Sequence, residues 1–271
     1  MTNGDRQGSP DPRFAVWIGA TVVLFLVAGV VGFAWLPSAQ RGAGSPALWD
    51  AICRAVGLPV ANPLAAVPAT GQPASNIAWT AATRWMLTQG DGARGGTLAT
   101  VCNNCHGANG VSADAAFPNL AGHSVAAIYK QLEDFKSGKR NATVMGVFVD
   151  PLSQEGMLDL ATHYASLSNP FTGAAPGSVD AAARTLIEVG SPMRNIAPCA
   201  ACHGPHGLVP GAPELRGQQR AYLEQELQAF KAGNRHNDIS QQMRSVARQL
   251  TGEEIAMLAA YYSSFKGVTG R

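Results

Sequence analysis

The stretch Cys102-Asn-Asn-Cys105-His106-Gly107 occurs a second time in this 271-residue chain, as Cys199-Ala-Ala-Cys202-His203-Gly204. In each copy two thiols share one helical turn and can reach the two vinyl groups of one porphyrin, and the next histidine can face the iron. A zinc or thiol-redox site is the alternative. Structural zinc takes four protein ligands, however, and a redox pair does not need the adjacent histidine. The motifs predict two covalently bound haem c groups, attached through Cys102, Cys105, Cys199 and Cys202.

The two motifs lie inside a longer internal repeat. The matched runs that follow them in the same order are Pro118-Asn-Leu120-Ala-Gly122 with Pro213-Glu-Leu215-Arg-Gly217, Leu132–Arg140 with Leu227–Arg235, and Met145 with Met243. Order and spacing agree within a few residues over about 80 positions, as they do in a duplicated domain. We therefore predict two tandem domains, over residues 90–170 and 179–268.

The second axial ligand of each iron must come from later in the same copy. The candidates are Met145, Met157, His123 and His163 in the first copy, and Met243, Met257, His206 and His236 in the second. Only Met145 and Met243 occupy equivalent places, on a stretch that we expect to be non-helical and able to fold over the open haem face. Met157 and Met257 suit a core-filling role. The predicted iron ligands are His106, Met145, His203 and Met243.

This ligand set indicates a class of function. A thioether opposite histidine favours Fe(II) and raises the reduction potential. It also fills the coordination sphere, so that peroxide or oxygen has no open position. We therefore predict single-electron transfer without catalytic residues. The alternative is a dihaem enzyme, such as a peroxidase or a thiosulfate-oxidising protein, which would need an open or easily displaced ligand at one iron.

The hydrophobic pattern predicts an all-α fold. Val125–Ser137 and Arg220–Ala232 carry apolar residues at intervals of three and four, and each is followed or closed by a glycine. Ser153–Ser166 and Thr251–Ser264 begin with a residue that can cap a helix, and Glu254 completes a capping box. Alternation is not sustained anywhere in the sequence, so we expect almost no sheet.

An uncharged run extends from Phe14 to Leu36. At about 1.5 Å per residue, a helix of this length covers the roughly 30 Å of a bilayer core. Trp17 and Trp35 stand near its ends, where interfacial rings are favoured. A cleaved signal peptide is the alternative, but its apolar region is usually about 7–15 residues long. We predict a retained single-pass anchor over residues 14–36.

Haem attachment takes place outside the cytoplasmic membrane of bacteria. We therefore place residues 1–13 in the cytoplasm and the haem domains in the periplasm, with the anchor in the inner membrane. Residues 37–89 are rich in Ala, Pro and Gly and are predicted to be a spacer, with short helices over Trp49–Cys53 and Ile77–Leu87. Cys53 has no predicted partner, and its role stays open. The net charge of +2 excludes the strong basic balance of a nucleic-acid binder.

Arg140 and Arg235 end the matched runs of the two copies. They could pair with haem propionates, or they could be solvated charges at helix ends. The sequence does not choose between these two roles.

Residues 90–268 resemble the dihaem cytochrome c4 family. The resemblance is carried by Cys102–Gly107, Leu120–Gly122, Lys130–Arg140 and Met145, and by Cys199–Gly207, Leu215–Gly217, Ala229–Gly233 and Met243. It implies two all-helical cytochrome c domains packed against each other. It also implies electron delivery from a quinol-oxidising complex to a terminal oxidase or reductase. Residues 1–89 depart from the soluble members of the family.

That departure suggests two modes of action. The leading prediction is a membrane-tethered electron carrier of the respiratory chain. The alternative is a fixed dihaem cytochrome subunit of an oxidase or dehydrogenase complex. Both modes require redox protein partners.

Overall fold

The computed structural model describes residues 12–35, 74–141, 143–173, 180–204 and 209–266. These residues are helical, and within them the only extended pairing is an isolated bridge between Ser191 and Ile196. The chain forms two compact units, residues 1–72 and 73–271. The predicted all-α class is confirmed. The predicted helix at Trp49–Cys53, and Cys53 itself, lie outside the described residues.

The first unit contains helix α1, Pro12–Gly29, which continues as a π-helical turn, Val30–Trp35. Large apolar side chains cover its surface, and Phe25 is 73% exposed. The segment Ala15–Gly32 is long and apolar enough to cross a membrane. An anchor and a signal sequence share these properties.

The second unit begins with a short segment ahead of the first repeat and continues into that repeat. Its helices are α2 (Ala81–Met86), α3 (Gly92–Leu98), α4 (Asn103–His106), α5 (Val125–Lys136), α6 (Thr143–Val149) and α7 (Gln154–Ser166). Helices α3 and α7 pack tightly because Gly95 has no side chain, since a Cβ there would lie 2.0 Å from the carbonyl oxygen of Asp159. The buried Asp159 carboxylate accepts from Arg94 Nε at 2.7 Å and ties the two helices together.

The second repeat follows the same plan. Its helices are α8 (Ala181–Glu188), α9 (Arg220–Ala232), α10 (Gln242–Gln249) and α11 (Gly252–Ser263), with 3-10 turns at Pro192–Arg194, Cys199–Ala201 and Ile239–Gln241. Each repeat has one main apolar cluster. The first gathers α5 and α7, and the second gathers α8, α9 and α11.

The helix ends agree closely with the sequence pattern. Ser153 accepts from the Gly156 amide at 3.0 Å and begins α7. Thr251 and Glu254 form the predicted capping box at the start of α11, with bonds of 3.1 Å and 2.8 Å. Gly233 ends α9 in the left-handed conformation. The four helices predicted in the repeats are therefore confirmed within one residue of their predicted ends.

The expected non-helical surroundings of the two matched methionines are wrong. Met145 is the third residue of α6 and Met243 the second of α10. Three valines and a glycine give α6 weak intrinsic helix propensity, so the pattern did not predict it. Packing against α5 holds this short helix in place.

The last part of the predicted spacer packs with the repeats. Ile77, Met86 and Leu87 lie against the apolar cluster of the first repeat, and α2 falls inside the helix predicted over Ile77–Leu87. Ser75 is buried and donates to Asp134 at 2.6 Å. Residues 74–89 are therefore part of the second unit.

Candidate haem sites

The two attachment motifs form the same local turn. In the first, the carbonyl of Cys102 accepts from the amides of Cys105 at 3.2 Å and His106 at 3.0 Å. In the second, the carbonyl of Cys199 accepts from Cys202 at 3.2 Å and from His203 at 2.9 Å. Each turn thus places two thiols and one imidazole together. These four described cysteines form no disulfide.

The first thiol of each motif lies against an apolar cluster. Cys102 packs on the cluster of the first repeat and Cys199 on that of the second. Burial raises the pKa of the Cys102 thiol and raises that of Cys199 to about 11. Both sulfurs therefore lie in apolar surroundings that suit the face of a porphyrin.

One ring nitrogen of each motif histidine is already engaged. Nδ1 of His106 lies 2.8 Å from the carbonyl oxygen of Pro118, and Nδ1 of His203 lies 2.8 Å from that of Pro213. A carbonyl oxygen only accepts, so each Nδ1 carries the proton and donates, which leaves Nε2 with its lone pair for a metal. Burial lowers the pKa of both rings, so both are neutral ligands. This donor set fits a haem iron.

The repeated Pro-x-Leu-x-Gly run thus supports the histidine of its own repeat. The sequence shows the run as a repeated feature but does not reveal this role. Its recurrence at nearly the same distance after each motif was the available signal, and only the folded loop shows that the proline carbonyl meets the imidazole.

The two matched methionines are both half-buried. Met145 packs on the apolar cluster that also contacts Cys102 and Leu120. Met243 precedes Val246 on the same helix, and Val246 packs on the cluster that contacts Cys199. In both repeats a methionine-bearing helix therefore borders the cluster that receives the first thiol.

The remaining candidate ligands lie in other surroundings. Met157 is 1% exposed inside the first cluster, and Met257 packs against the second. His236 is exposed, and His206 lies outside the described residues. Nδ1 of His123 is buried and has no hydrogen-bond partner among the described residues, and burial lowers the pKa of this ring to about 4.

Arg140 and Arg235 are not the solvated helix-end charges that we considered. Where the repeats meet, Arg140 is buried and Arg235 is largely buried. They share the carboxylate of Glu226, whose two oxygens lie 2.5 Å from Arg140 and 2.7 Å from Arg235. Burial alone would raise the pKa of Glu226, but the two arginines hold it below its usual value. Each guanidinium also covers a phenylalanine ring, Phe135 at 4.6 Å and Phe230 at 4.4 Å.

A second set of buried bonds joins the loops that support the two histidines. Asn119 lies next to Pro118. Its backbone amide donates to Gln218 Oε1 at 2.8 Å, and its carbonyl oxygen accepts from Gln218 Nε2 at 3.0 Å. The Asn119 side chain donates to the Gly217 carbonyl at 2.8 Å. The two haem sites are thereby fixed relative to each other through the protein.

Comparison with known proteins agrees with this geometry. Residues 196–266 match the family model "Cytochrome c". Over 176 residues the chain is 35% identical to cytochrome c4 of Pseudomonas aeruginosa, which covers 64% of this chain and 87% of that relative. The chain belongs to the cytochrome c4 family. The predicted family resemblance is confirmed.

A solved structure and a second relative extend the comparison. Reduced recombinant cytochrome c4 of Pseudomonas stutzeri superposes with a TM-score of 0.60 at 32% identity, over 65% of this chain and 99% of that one. A "Thiosulfate dehydrogenase electron acceptor" of Stutzerimonas stutzeri is 38% identical over 173 residues, which is 61% of this chain and 79% of that protein.

Membership of the cytochrome c4 family confirms several predictions. The chain is a c-type cytochrome with an electron-transfer function and carries two covalently bound haem c groups. The relatives point to an electron carrier and are consistent with redox protein partners. When bound, haem iron accepts and releases one electron at a time.

Proposed function

We propose that this member of the cytochrome c4 family is a membrane-tethered carrier of single electrons. It would receive them from a quinol-oxidising complex and pass them to a terminal oxidase or reductase. The observation that carries the proposal is the presence of two complete donor sets in one packed unit. Each set comprises two thiols, an imidazole locked by a proline carbonyl, and a methionine-bearing helix.

The residue roles follow from that geometry. Cys102 and Cys105 would attach the first haem, and Cys199 and Cys202 the second. The iron ligands would be His106 with Met145 and His203 with Met243. With both axial positions filled, neither site would bind a small substrate, which argues against a peroxidase or another dihaem enzyme.

The protein supplies orientation and insulation. The carbonyls of Pro118 and Pro213 fix the tautomer and direction of the two imidazoles, while the apolar clusters keep water from the sites. The buried bonds of Asn119 and Gln218 hold the two sites at a constant separation. Electrons can then pass between haems without a change in the chain's conformation.

We propose that α1 is a retained single-pass anchor in the bacterial inner membrane, with the haem domains in the periplasm. Its exposed apolar surface supports this role, since lipid would cover side chains such as Phe25. The mature protein should stay in membranes washed with carbonate and should begin near Met1 by N-terminal sequencing. An N-terminus beyond residue 36 would show cleavage and exclude the anchor.

A second candidate mode is a fixed subunit of an oxidase or dehydrogenase complex. It is favoured by the relative whose name describes an electron acceptor of thiosulfate dehydrogenase. Purification of the native protein in a mild detergent distinguishes the modes. A carrier elutes alone, whereas a subunit elutes with the enzyme it serves.

Rapid mixing tests the carrier proposal. The oxidised full-length protein, mixed with quinol and a purified quinol-oxidising complex, should become reduced at both haems and reoxidise when terminal oxidase is added. A rate unaffected by omission of either complex would exclude this role.

A further inference from the structure

The methionine-bearing helices are too short to be stable alone. Helix α6 has 7 residues and α10 has 8, whereas isolated helices below about 12–15 residues are marginal in water. The last four carbonyls of a helix also lack partners within it. A thioether on such a helix keeps a fixed position only if other elements hold the helix.

A lysine from the preceding long helix meets the end of each methionine-bearing helix. Lys136, the last residue of α5, donates from Nζ to the carbonyl of Asp150 at 2.5 Å. Lys231, in the last turn of α9, donates from Nζ to the carbonyl of Leu250. Asp150 and Leu250 are each the first residue after the helix that carries the methionine.

The two acceptors occupy the same structural place but different places in the sequence repeat. The lysines are equivalent, since each directly follows the phenylalanine of the matched run. The residue that aligns with Leu250 is Leu152, however, not Asp150. What the repeats share is therefore a lysine at the end of the methionine-bearing helix, not a lysine at a fixed partner.

We infer that Lys136 and Lys231 are positioning residues for the axial methionines. This rests on the proposed assignment of Met145 and Met243 as iron ligands. An ammonium group at a helix C-terminus is favoured by the helix dipole and satisfies an otherwise open carbonyl. Arg235 of the second repeat donates to Gln131 on α5, and Arg140 of the first repeat pairs with Glu226 on α9, so both long helices are held at the interface between the repeats. Each lysine therefore connects the sulfur-bearing helix to a well-fixed part of the protein.

Hydrogen bonds and ion pairs at the interface between the repeats hold α5 and α9 in place. Gln131 on α5 accepts from Arg140 at 2.9 Å and from Arg235 at 3.1 Å. Glu226 on α9 accepts from the same two arginines. Each lysine lies five residues further along its helix, one and a half turns from this cluster.

The test uses the full-length ferric holoprotein and added imidazole, which competes with the thioether for iron. Lys136→Met removes the ammonium but keeps the aliphatic stem. It should raise the affinity of the first haem for imidazole by about two- to fivefold, the size expected from loss of one exposed charge at a helix C-terminus. Lys136→Arg should restore the parent affinity, and Lys266→Met, at an exposed lysine near the C-terminal end of the described residues, is the matched control.

Each repeat also serves as a control for the other. Lys136→Met should weaken the sulfur-to-iron charge-transfer band of the first haem only, and Lys231→Met that of the second only. Lys136→Met is combined with Met243→Ala, and Lys231→Met with Met145→Ala. Each double variant keeps one thioether-ligated haem, so that the affected site is identified. A failure of one lysine variant to fold leaves the other as an independent test.

Two failures are distinguishable. If Met145→Ala leaves the charge-transfer band unchanged, the proposed ligand assignment is wrong. If Met145→Ala and Met243→Ala each remove about half of the band, but the lysine variants bind imidazole like the parent, the ligands are right and the positioning role is overturned. If Lys136→Met binds imidazole more tightly than the parent and Lys136→Arg does so equally, the positioning role is also overturned.

Discussion

The residue after the first cysteine makes the two haem turns chemically different. Asn103 and Ala200 each follow the first cysteine of their motif. Asn103 lies 3.1 Å from the hydroxyl of the buried Tyr164. The equivalent hydroxyl, on Tyr262, is buried and has no hydrogen-bond partner among the described residues. Alanine at position 200 offers no amide to meet it.

This difference predicts opposite results for one substitution at equivalent sites. Tyr164→Phe should lower the free energy of unfolding of the first repeat by about 1 kcal/mol, because it removes the hydrogen bond between the hydroxyl and Asn103. Tyr262→Phe should leave the stability of the second repeat unchanged or increase it, because it removes an unpaired hydroxyl. Chemical unfolding followed at each haem measures both. Equal losses in the two variants would contradict the assignment of partners.

At the scale of single elements, the start of α11 depends on one carboxylate. Glu254 completes the capping box, and its two carboxylate oxygens also accept hydrogen bonds from the Arg194 guanidinium at 2.6 Å and 2.7 Å. The hydrogen bond from Arg194 is the main cause that lowers the pKa of this carboxyl to about 2. The element that closes the second repeat is therefore tied to the 3-10 turn Pro192–Arg194.

The lowered pKa gives this tie a defined pH dependence. The unfolded chain binds a proton at Glu254 near pH 4.5, while the folded chain does so near pH 2. The stabilisation is thus complete above pH 4.5 and is lost as the pH falls from 4.5 toward 2. Glu254→Gln should lower the stability at pH 7 and make the second repeat less sensitive to acid in this range. An unchanged acid profile in Glu254→Gln would refute the tie.

The elements differ in how well sequence reveals them. The capping residues Ser153 and Thr251 act within a few residues of themselves, so local pattern was sufficient to predict α7 and α11. Helix α6 depends on packing against α5, which no local propensity records. The partners of Arg140 and Arg235 could not be predicted either, because periodicity defines a buried face but not which distant carboxylate meets it.

At the scale of the whole molecule, residues 74–80 connect the two repeats. Ser75 and Ile77 pack on the first repeat, whereas the indole of Trp79 lies over Gly211 of the second. Gly211 has a φ of +84°, and a Cβ there would lie 2.6 Å from the indole. The segment that leads from the apolar helix into the haem region therefore also holds the repeats together.

Two tryptophans of this region provide a matched test. Trp79→Ala should lower the free energy of unfolding by about 1–2 kcal/mol, since it uncovers the surface of the second repeat around Gly211. Trp85 is 68% exposed, so Trp85→Ala should change stability by less than about 0.5 kcal/mol. A chain exported with its start at residue 74 should mature with both haems and keep the parent stability. A chain that starts at residue 90 should be less stable, and equal stability of the two would contradict the role of this segment.

The central claim about the molecule is that both irons are closed by histidine and methionine, which makes it a carrier. Carbon monoxide binding to the reduced full-length protein tests this most directly, because the gas binds only where an axial position is open or readily displaced. The parent should bind none, while Met145→Ala and Met243→Ala should each bind one equivalent per chain, and their potentials should fall. Stoichiometric binding at one haem of the parent would contradict the account, since that iron would then have the labile site that an enzyme requires.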